Sequence, residues 1–249
     1  TLGPSTSSIE TIESLIKEGV DVFRINFSHS THKEAEFLIK SIRKINDSLS
    51  KNIAILADLQ GPKLRIGDVV DDTNLNFGEK ITIKTDKSFE GNKNKLFLNY
   101  QNLAKDINKG EKILIDDGKI ILKVIDTNGK HEVTAEVLQG GELSSNKGFN
   151  LPNTNISQPA LTDKDIDDAI FSAKHNVDWI ALSFVRNGSD IKSLVKLLEN
   201  NTSHRIPIIA KIEKPEGVKN IDEIMKYSSG IMVAYDWYYF LTTLLKILY

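Results

Sequence analysis

The feature that most restricts how this chain can fold is a rhythm that breaks once and then resumes. Residues 7–19 open with a hydroxyl cap (Ser7-Ser8), carry Glu10 in the first turn, and place Ile9, Ile12, Leu15 and Ile16 at helical spacing before Gly19. A helix is expected there. Residues 20–27 (VDVFRINF) are rich in β-branched and aromatic side chains and read as a strand. Residues 31–49 carry Phe37, Leu38, Ile42 and Ile45 at three-to-four spacing, a second helix. Residues 53–59 (IAILADL) form a short apolar run, the mark of a strand buried on both faces. Strand, helix and strand joined by short links predict a parallel sheet.

The break comes after Gly67. From about residue 68 to 157, short alternating runs (KITIKT, KLFLNY, KILIDDGKIILKVID, HEVTAEVL) are separated by Gly, Asn and Asp turns, and Asp117-Gly118 between two such runs signals a hairpin. This is an all-β insert. Strand–helix alternation then returns. Thr162 caps a helix reaching about residue 175, followed by a strand at 177–184 (VDWIALSF) and a helix at 190–199. A strand at 206–212 (IPIIAKI), a helix at 220–227 and a strand at 231–234 complete the pattern. About five βα units plus a stub suit either an eight-stranded barrel short of parts or an open doubly wound sheet. No GxGxxG or P-loop follows any strand, and a β domain inserted after a barrel strand is the better fit.

Composition narrows the function classes. The 249 residues are 40% hydrophobic and 27% charged, with a formal net charge of -2, an ordinary balance for a soluble globular protein. Duplex binding usually brings a basic surplus, so nucleic acid is not expected as the main partner. The absence of cysteine excludes disulfides, thiolate metal sites and Cys nucleophiles. No charged-then-apolar segment opens the chain, and its most apolar window, residues 238–249, is far short of the roughly 20 residues a membrane helix needs. A cytoplasmic protein with no membrane partner is expected. Thr1-Leu2-Gly3-Pro4 reads like a strand end entering a turn, and both ends of the chain look cut.

In a parallel barrel the carboxyl ends of the strands carry the active site. The first strand end offers Arg24, Asn26, Ser28 and His29; the next offers Asp58, Gln60, Lys63 and Arg65. Later ones offer Ser183 and Arg186, then Lys211, Glu213 and Glu216. Arg, Lys and carboxylate side chains gathered on one face suit an anionic substrate held with a divalent metal: cations neutralise phosphate, and Asp or Glu holds Mg²⁺ through few protein ligands. Each has a plainer reading beside it. Lys211 and Glu213 share a strand face and suit a barrel-mouth ion pair; Arg24 suits a partner for Asp58. His29 suits a turn, and Lys147-Gly148 a solvated loop.

The runs TLGPST, RINFSHS, DLQGPKLRIG, ILIDDGKI, KGFNLP, LTDKD, SFVR, KIEKPEG and DEIM…GIMVA, in this order and at these intervals, resemble the pyruvate kinase family from Thr1 to Ala234. The resemblance implies a partial (β/α)₈ TIM barrel with an inserted all-β, barrel-like B domain. It divides the chain into barrel at 1–67, B domain at 68–157, barrel again at 158–234, and a tail at 235–249 unlike the family. It also implies phosphoryl transfer from phosphoenolpyruvate to ADP, giving pyruvate and ATP at the end of glycolysis, with Mg²⁺ (or Mn²⁺) and usually K⁺. Residue by residue, it assigns Arg24 to the substrate phosphoryl group, and Asn26, His29, Arg65 and Lys147 to the nucleotide. Lys211 is assigned to the phosphoryl group in flight and Glu213 to Mg²⁺. Asn26, Ser28, Asp58 and Leu59 match the K⁺ site. The B domain would serve as a lid that excludes water. The family is usually a homotetramer, which is not expected of this piece.

Two departures qualify the resemblance. K⁺-dependent members have Thr and Glu where this chain has Leu59 and Lys63, so an ammonium is expected to stand in for the ion. After GIMVA the family continues Arg-Gly-Asp-Leu-Gly, whereas this chain has Tyr235-Asp236-Trp237. Asp236 falls one place short of the family's Mg²⁺-binding Asp, and a one-residue slip turns an extended side chain to the other face. Tyr235, Tyr238, Tyr239 and Tyr249 crowd this last segment, a composition break that suggests out-of-frame translation. The alternative expectation is therefore an inactive fragment with at most weak nucleotide or phosphate binding.

Overall fold

The computed structural model describes residues 1–71 and 73–233. The expectations for Ala234, Tyr235, Asp236 and Trp237 lie outside the described residues. Along the chain come α1 (Ile9–Lys17), β1 (Val22–Asn26), α2 (His32–Leu49) and β2 (Ala54–Asp58). Then follow β3 (Asn74–Leu75), β4 (Lys80–Lys84), β5 (Lys95–Phe97), α3 (Leu103–Asp106), β6 (Lys112–Ile115), β7 (Ile120–Thr127), β8 (Glu132–Gln139), β9 (Gly141–Glu142) and β10 (Phe149–Asn150). The last group is α4 (Asp163–Lys174), β11 (Trp179–Leu182), α5 (Gly188–Glu199), β12 (Ile208–Ile212), α6 (Pro215–Lys219), α7 (Ile221–Tyr227) and β13 (Gly230–Val233).

Two compact units result, one from Thr1–Pro62 with the residues after Gln158, the other Lys63–Gln158. In the first, five strands pair in the order β1-β2-β11-β12-β13, every pair parallel. It is the sheet of a partial (β/α)₈ barrel. Helices start where the local chemistry dictates. Thr31 and Glu34 form a capping box at α2, as Thr162 and Asp165 do at α4. Phe37, counted in the apolar stripe of α2, is 52% exposed; Ala35, Leu38, Ile39, Ile42 and Ile45 face the core instead. That core joins Phe23, Ile25 and Phe27 to Ile55, Ala57, Ile180, Leu182, Ile208 and Ala210 from neighbouring strands. Each such Ile or Leu contributes about 1.5–3 kcal/mol by leaving water.

The second unit has its own core, with Ile81, Ile83, Leu96, Ile113, Ile115, Leu122, Val124, Val133 and Val137 at its centre. Its main sheet runs β10-β6-β7-β8-β4-β5, antiparallel except for the β4–β5 pair. Alternation decides which face is inside: β8 reads half-buried, buried, half-buried, buried along most of its length. The hairpin at Asp117-Gly118 joins β6 to β7, and α3 is the one helix among this unit's described residues. No helix among the described residues is long and apolar enough to cross a membrane.

Candidate active site

Because the five strands are parallel, their carboxyl ends meet at one edge. Register puts Asn26 opposite Asp58, and Asp58 opposite Ala181. Arg24 and Asn26 lie two apart on β1 and share a face, as Lys211 and Glu213 do across the end of β12. Asp58 is the hub. Its side chain is 1% exposed, and its Oδ2 accepts from Arg24 Nε at 2.7 Å and lies 2.5 Å from Arg24 Nη2. Lys211 Nζ sits 3.2 Å from Asp58 Oδ1, 3.3 Å from Glu213 Oε1, and donates to Ser183 Oγ at 2.8 Å. Ser183 Oγ in turn donates to the Leu59 carbonyl at 2.7 Å. Both plain pairings suggested by the sequence, Arg24 with Asp58 and Lys211 with Glu213, are therefore present, and Lys211 links them into one network.

The network holds two cations and two carboxylates, of which Asp58, Lys211 and Glu213 are well shielded from water at 1%, 12% and 10% exposure. Isolated charges there would cost several kcal/mol each, so pairing is the condition of their burial. One oxygen remains unsaturated. Asp58 Oδ1 is close to the Lys211 ammonium but off its donor directions, and it has no hydrogen-bond donor. A buried carboxylate oxygen in that state suits a cation rather than a neutral ligand, and the Lys211 ammonium at 3.2 Å already supplies one.

Glu213 spends its other oxygen on the backbone: the Phe184 N–H donates to Oε2 at 2.9 Å. Phe184 has φ 56°, a left-handed conformation that a bulky aromatic rarely adopts. The bond to Glu213 helps hold it. Directly against Phe184 lies Gly61, φ +70°; a Cβ there would come 2.8 Å from both Phe184 Cδ2 and Ser183 Cβ. Gly61 N–H donates to Asp165 Oδ1 at 2.9 Å. In α6, a Cβ on Gly217 would fall 2.5 Å from the Val185 carbonyl oxygen, so the close approach of this helix also requires glycine. Between them, burial pushes the half-buried Lys214 ammonium below the ordinary lysine pKa, with Glu216 opposing and Arg186 reinforcing the shift.

Around this centre, Ser28 N–H donates to Asn26 Oδ1 at 3.0 Å, and His29 is exposed in the turn that follows. Leu59 is buried in the core at 1% exposure and offers the site only its carbonyl. Arg186 pairs with Asp190 at 3.7 Å, one turn along the start of α5. Lys63, Arg65 and Lys147 belong to the second unit. There the backbones of Arg65 and Gly148 form an antiparallel bridge, and Ile66 N–H donates to the Lys147 carbonyl at 3.1 Å. Arg65 Nη1 donates to the Asn146 carbonyl at 2.5 Å, while Lys147 Nζ lies 3.2 Å from Asp116 Oδ1. Sequence reading had no handle on the bond from Gly61 to Asp165 or on Phe184. Asp165 sits in a helix cap rather than at a strand end, and the backbone of Phe184 is set by a carboxylate far along the chain.

As to metals, no cluster of three or more His, Cys, Asp or Glu side chains able to hold an ion occurs among the described residues. Mg²⁺ commonly takes one or two protein carboxylates and completes its shell with phosphate and water, so Glu213 alone is compatible with it.

The family model described as "Pyruvate kinase, barrel domain" matches residues 1–236. The chain is 43% identical over 235 residues to the pyruvate kinase of Staphylococcus haemolyticus, covering 94% of this chain and 40% of that protein. Against the pyruvate kinase of Corynebacterium efficiens the identity is 43% over 235 residues, covering 94% and 49%. The pyruvate kinase of Staphylococcus saprophyticus is 44% identical over 238 residues, covering 94% and 40%. The chain thus spans less than half the length of these relatives.

Proposed function

The chain belongs to the pyruvate kinase family, and from that membership we propose that it carries the amino-terminal part of the machinery for phosphoryl transfer from phosphoenolpyruvate to ADP. The observation that supports this best is the convergence of Arg24 and Lys211 on one buried carboxylate, Asp58. Phosphoryl transfer needs little covalent help; it needs charge neutralisation and in-line positioning. Arg24, 30% exposed, is the cation placed to receive the substrate phosphoryl group. Lys211, steadied by Ser183 and both carboxylates, faces the group as its bond to the enol oxygen breaks and a bond to a terminal ADP oxygen forms. The enolate left behind takes up a proton at its methylene carbon from solvent and becomes pyruvate.

Glu213 would hold Mg²⁺, which supplies charge neutralisation at the phosphates when bound. The K⁺ assignment to Asn26, Ser28, Asp58 and Leu59 rests on the resemblance. The chain has Lys63 in place of the family's Glu, and replacing Na⁺ by K⁺ is expected to change the rate little. The nucleotide assignments fall on both units, Asn26 and His29 in one and Arg65 and Lys147 in the other.

A second reading is favoured by the sequence after GIMVA, where Asp236 falls one place short of the Mg²⁺-binding Asp that the family resemblance calls for. On that reading the chain alone binds phosphate-bearing ligands without turning them over. Calorimetric titration with phosphoenolpyruvate, with Arg24→Met and Lys211→Met as comparisons, tests the site. Binding that weakens at least tenfold in both variants is expected, and equal binding would remove Arg24 and Lys211 from it. A coupled assay with phosphoenolpyruvate, ADP and Mg²⁺ separates the two readings: robust turnover by this chain ends the second.

A further inference from the structure

The β6–β7 hairpin contains three consecutive left-handed residues, Asp116 (φ 50°), Asp117 (φ 56°) and Gly118 (φ 88°). Asn accepts that conformation at least as readily as Asp, and Gly more readily than either, so backbone shape alone does not call for a carboxylate at Asp116. The side chain explains it. Asp116 Oδ2 accepts from Lys119 Nζ at 2.8 Å, and its Oδ1 lies 3.2 Å from Lys147 Nζ. Its backbone N–H donates to the Gly148 carbonyl at 3.1 Å, which fixes the hairpin against the loop that bears Lys147. The hydrogen bond from Lys119, aided by Lys147 and opposed by partial burial, holds the Asp116 carboxyl below the usual carboxylate range. The carboxyl is therefore ionised at neutral pH.

We propose that Asp116 is the built-in counter-anion of Lys147: its carboxylate occupies the place beside the ammonium that a ligand phosphate takes, and the ligand must displace it. The assignment rests on the reading of Lys147 as a nucleotide contact, but its chemistry is that of any phosphate-bearing anion. A carboxylate and a phosphate oxygen compete for the same donors, and the phosphate brings more charge to the exchange. In the unliganded state Asp116 keeps Lys147 ordered and neutralised at the cost of affinity. Asp117 adds a second negative charge beside Lys119, so an approaching anion meets a balanced patch rather than a cationic one. Affinity at this end of the molecule is therefore set as much by the acid in the hairpin as by the lysine in the loop.

Asp116→Asn removes the charge and keeps the left-handed turn; Asp116→Gly does the same without an amide. Trace acetylation with acetic anhydride, read by mass spectrometry on the whole chain, reports the state of Lys147 directly. We expect Lys147 to react several-fold faster in both variants, while Lys17 and Lys40, paired to Glu13 and Glu36 on helix surfaces, stay unchanged. Tripolyphosphate should then protect Lys147 at several-fold lower concentration in the variants than in the parent chain. Unchanged Lys147 labelling, or protection needing as much tripolyphosphate or more, overturns the proposal. ADP is titrated in parallel. If ADP protects Lys147 in none of the proteins while tripolyphosphate behaves as expected, the nucleotide reading fails and the counter-anion role of Asp116 stands.

Discussion

Asp58 concentrates more electrostatic consequence than any other described side chain of the sheet, since both Arg24 and Lys211 depend on it. Asp58→Ala leaves Lys211 largely buried beside Glu213 alone, and a loss of about 3–5 kcal/mol in urea unfolding is expected. Glu13→Ala, which breaks an exposed pair with Lys17, should cost under about 1 kcal/mol in the same measurement. Gly61→Ala combines a left-handed φ with two contacts too short to keep, so it should lose more than the roughly 1–2 kcal/mol of the conformation itself and weaken phosphoenolpyruvate binding as well. Tyr100 offers a pH test in the second unit. Burial, and then its hydrogen bond to Asp106, raise the Tyr100 hydroxyl above the ordinary tyrosine pKa. The folded value lies above the unfolded one, so the stability it contributes is complete below about pH 10 and is lost as pH rises through the folded value. Tyr100→Phe should abolish that alkaline loss in pH-dependent melting; an identical alkaline profile would assign it elsewhere.

At the level of elements, what was readable in the sequence is what local chemistry decides. A hydroxyl followed three residues later by an acid marked the start of α4, and apolar runs marked β2 and β12, because caps and alternation need no distant partner. Strand-end alternation likewise brought forward Arg24, Asp58, Ser183, Lys211 and Glu213, which the structure gathers into one network. Other features are made by the tertiary fold and leave no local trace. β3 and β9 are two residues each and exist only because they pair with one another. α6 begins with Pro215 at its first position, a helix signal masked by the glycine that the Val185 carbonyl demands. Asp165 shows the difference most clearly. One oxygen serves the cap of α4, which sequence reveals; the other holds Gly61, which it does not. Thr162→Ala should therefore cost about 1 kcal/mol, the value of a cap, whereas Asp165→Ala should cost more and disturb ligand binding too. Equal losses in urea unfolding would reduce Asp165 to a capping residue.

For the molecule as a whole, two separate cores predict two separable transitions. Residues 63–158 expressed alone should give a sigmoidal thermal melt by circular dichroism, and a gradual, uncooperative loss of signal would mean that this core is insufficient by itself. The way this unit handles its own ends has a further effect. Asn99 Nδ2 donates to the Lys63 carbonyl, and Asn102 Nδ2 to Ser157 Oγ, so the beginning and the end of the excursion are fastened to one short stretch of chain. β2 and β11, the strands on either side of the excursion, pair directly. To the parallel sheet, a folded excursion is a short tether and an unfolded one a long, floppy loop whose closure costs more entropy. Weakening Asn99 or Asn102 would lengthen that tether and raise the entropy the sheet must give up to bring β11 beside β2.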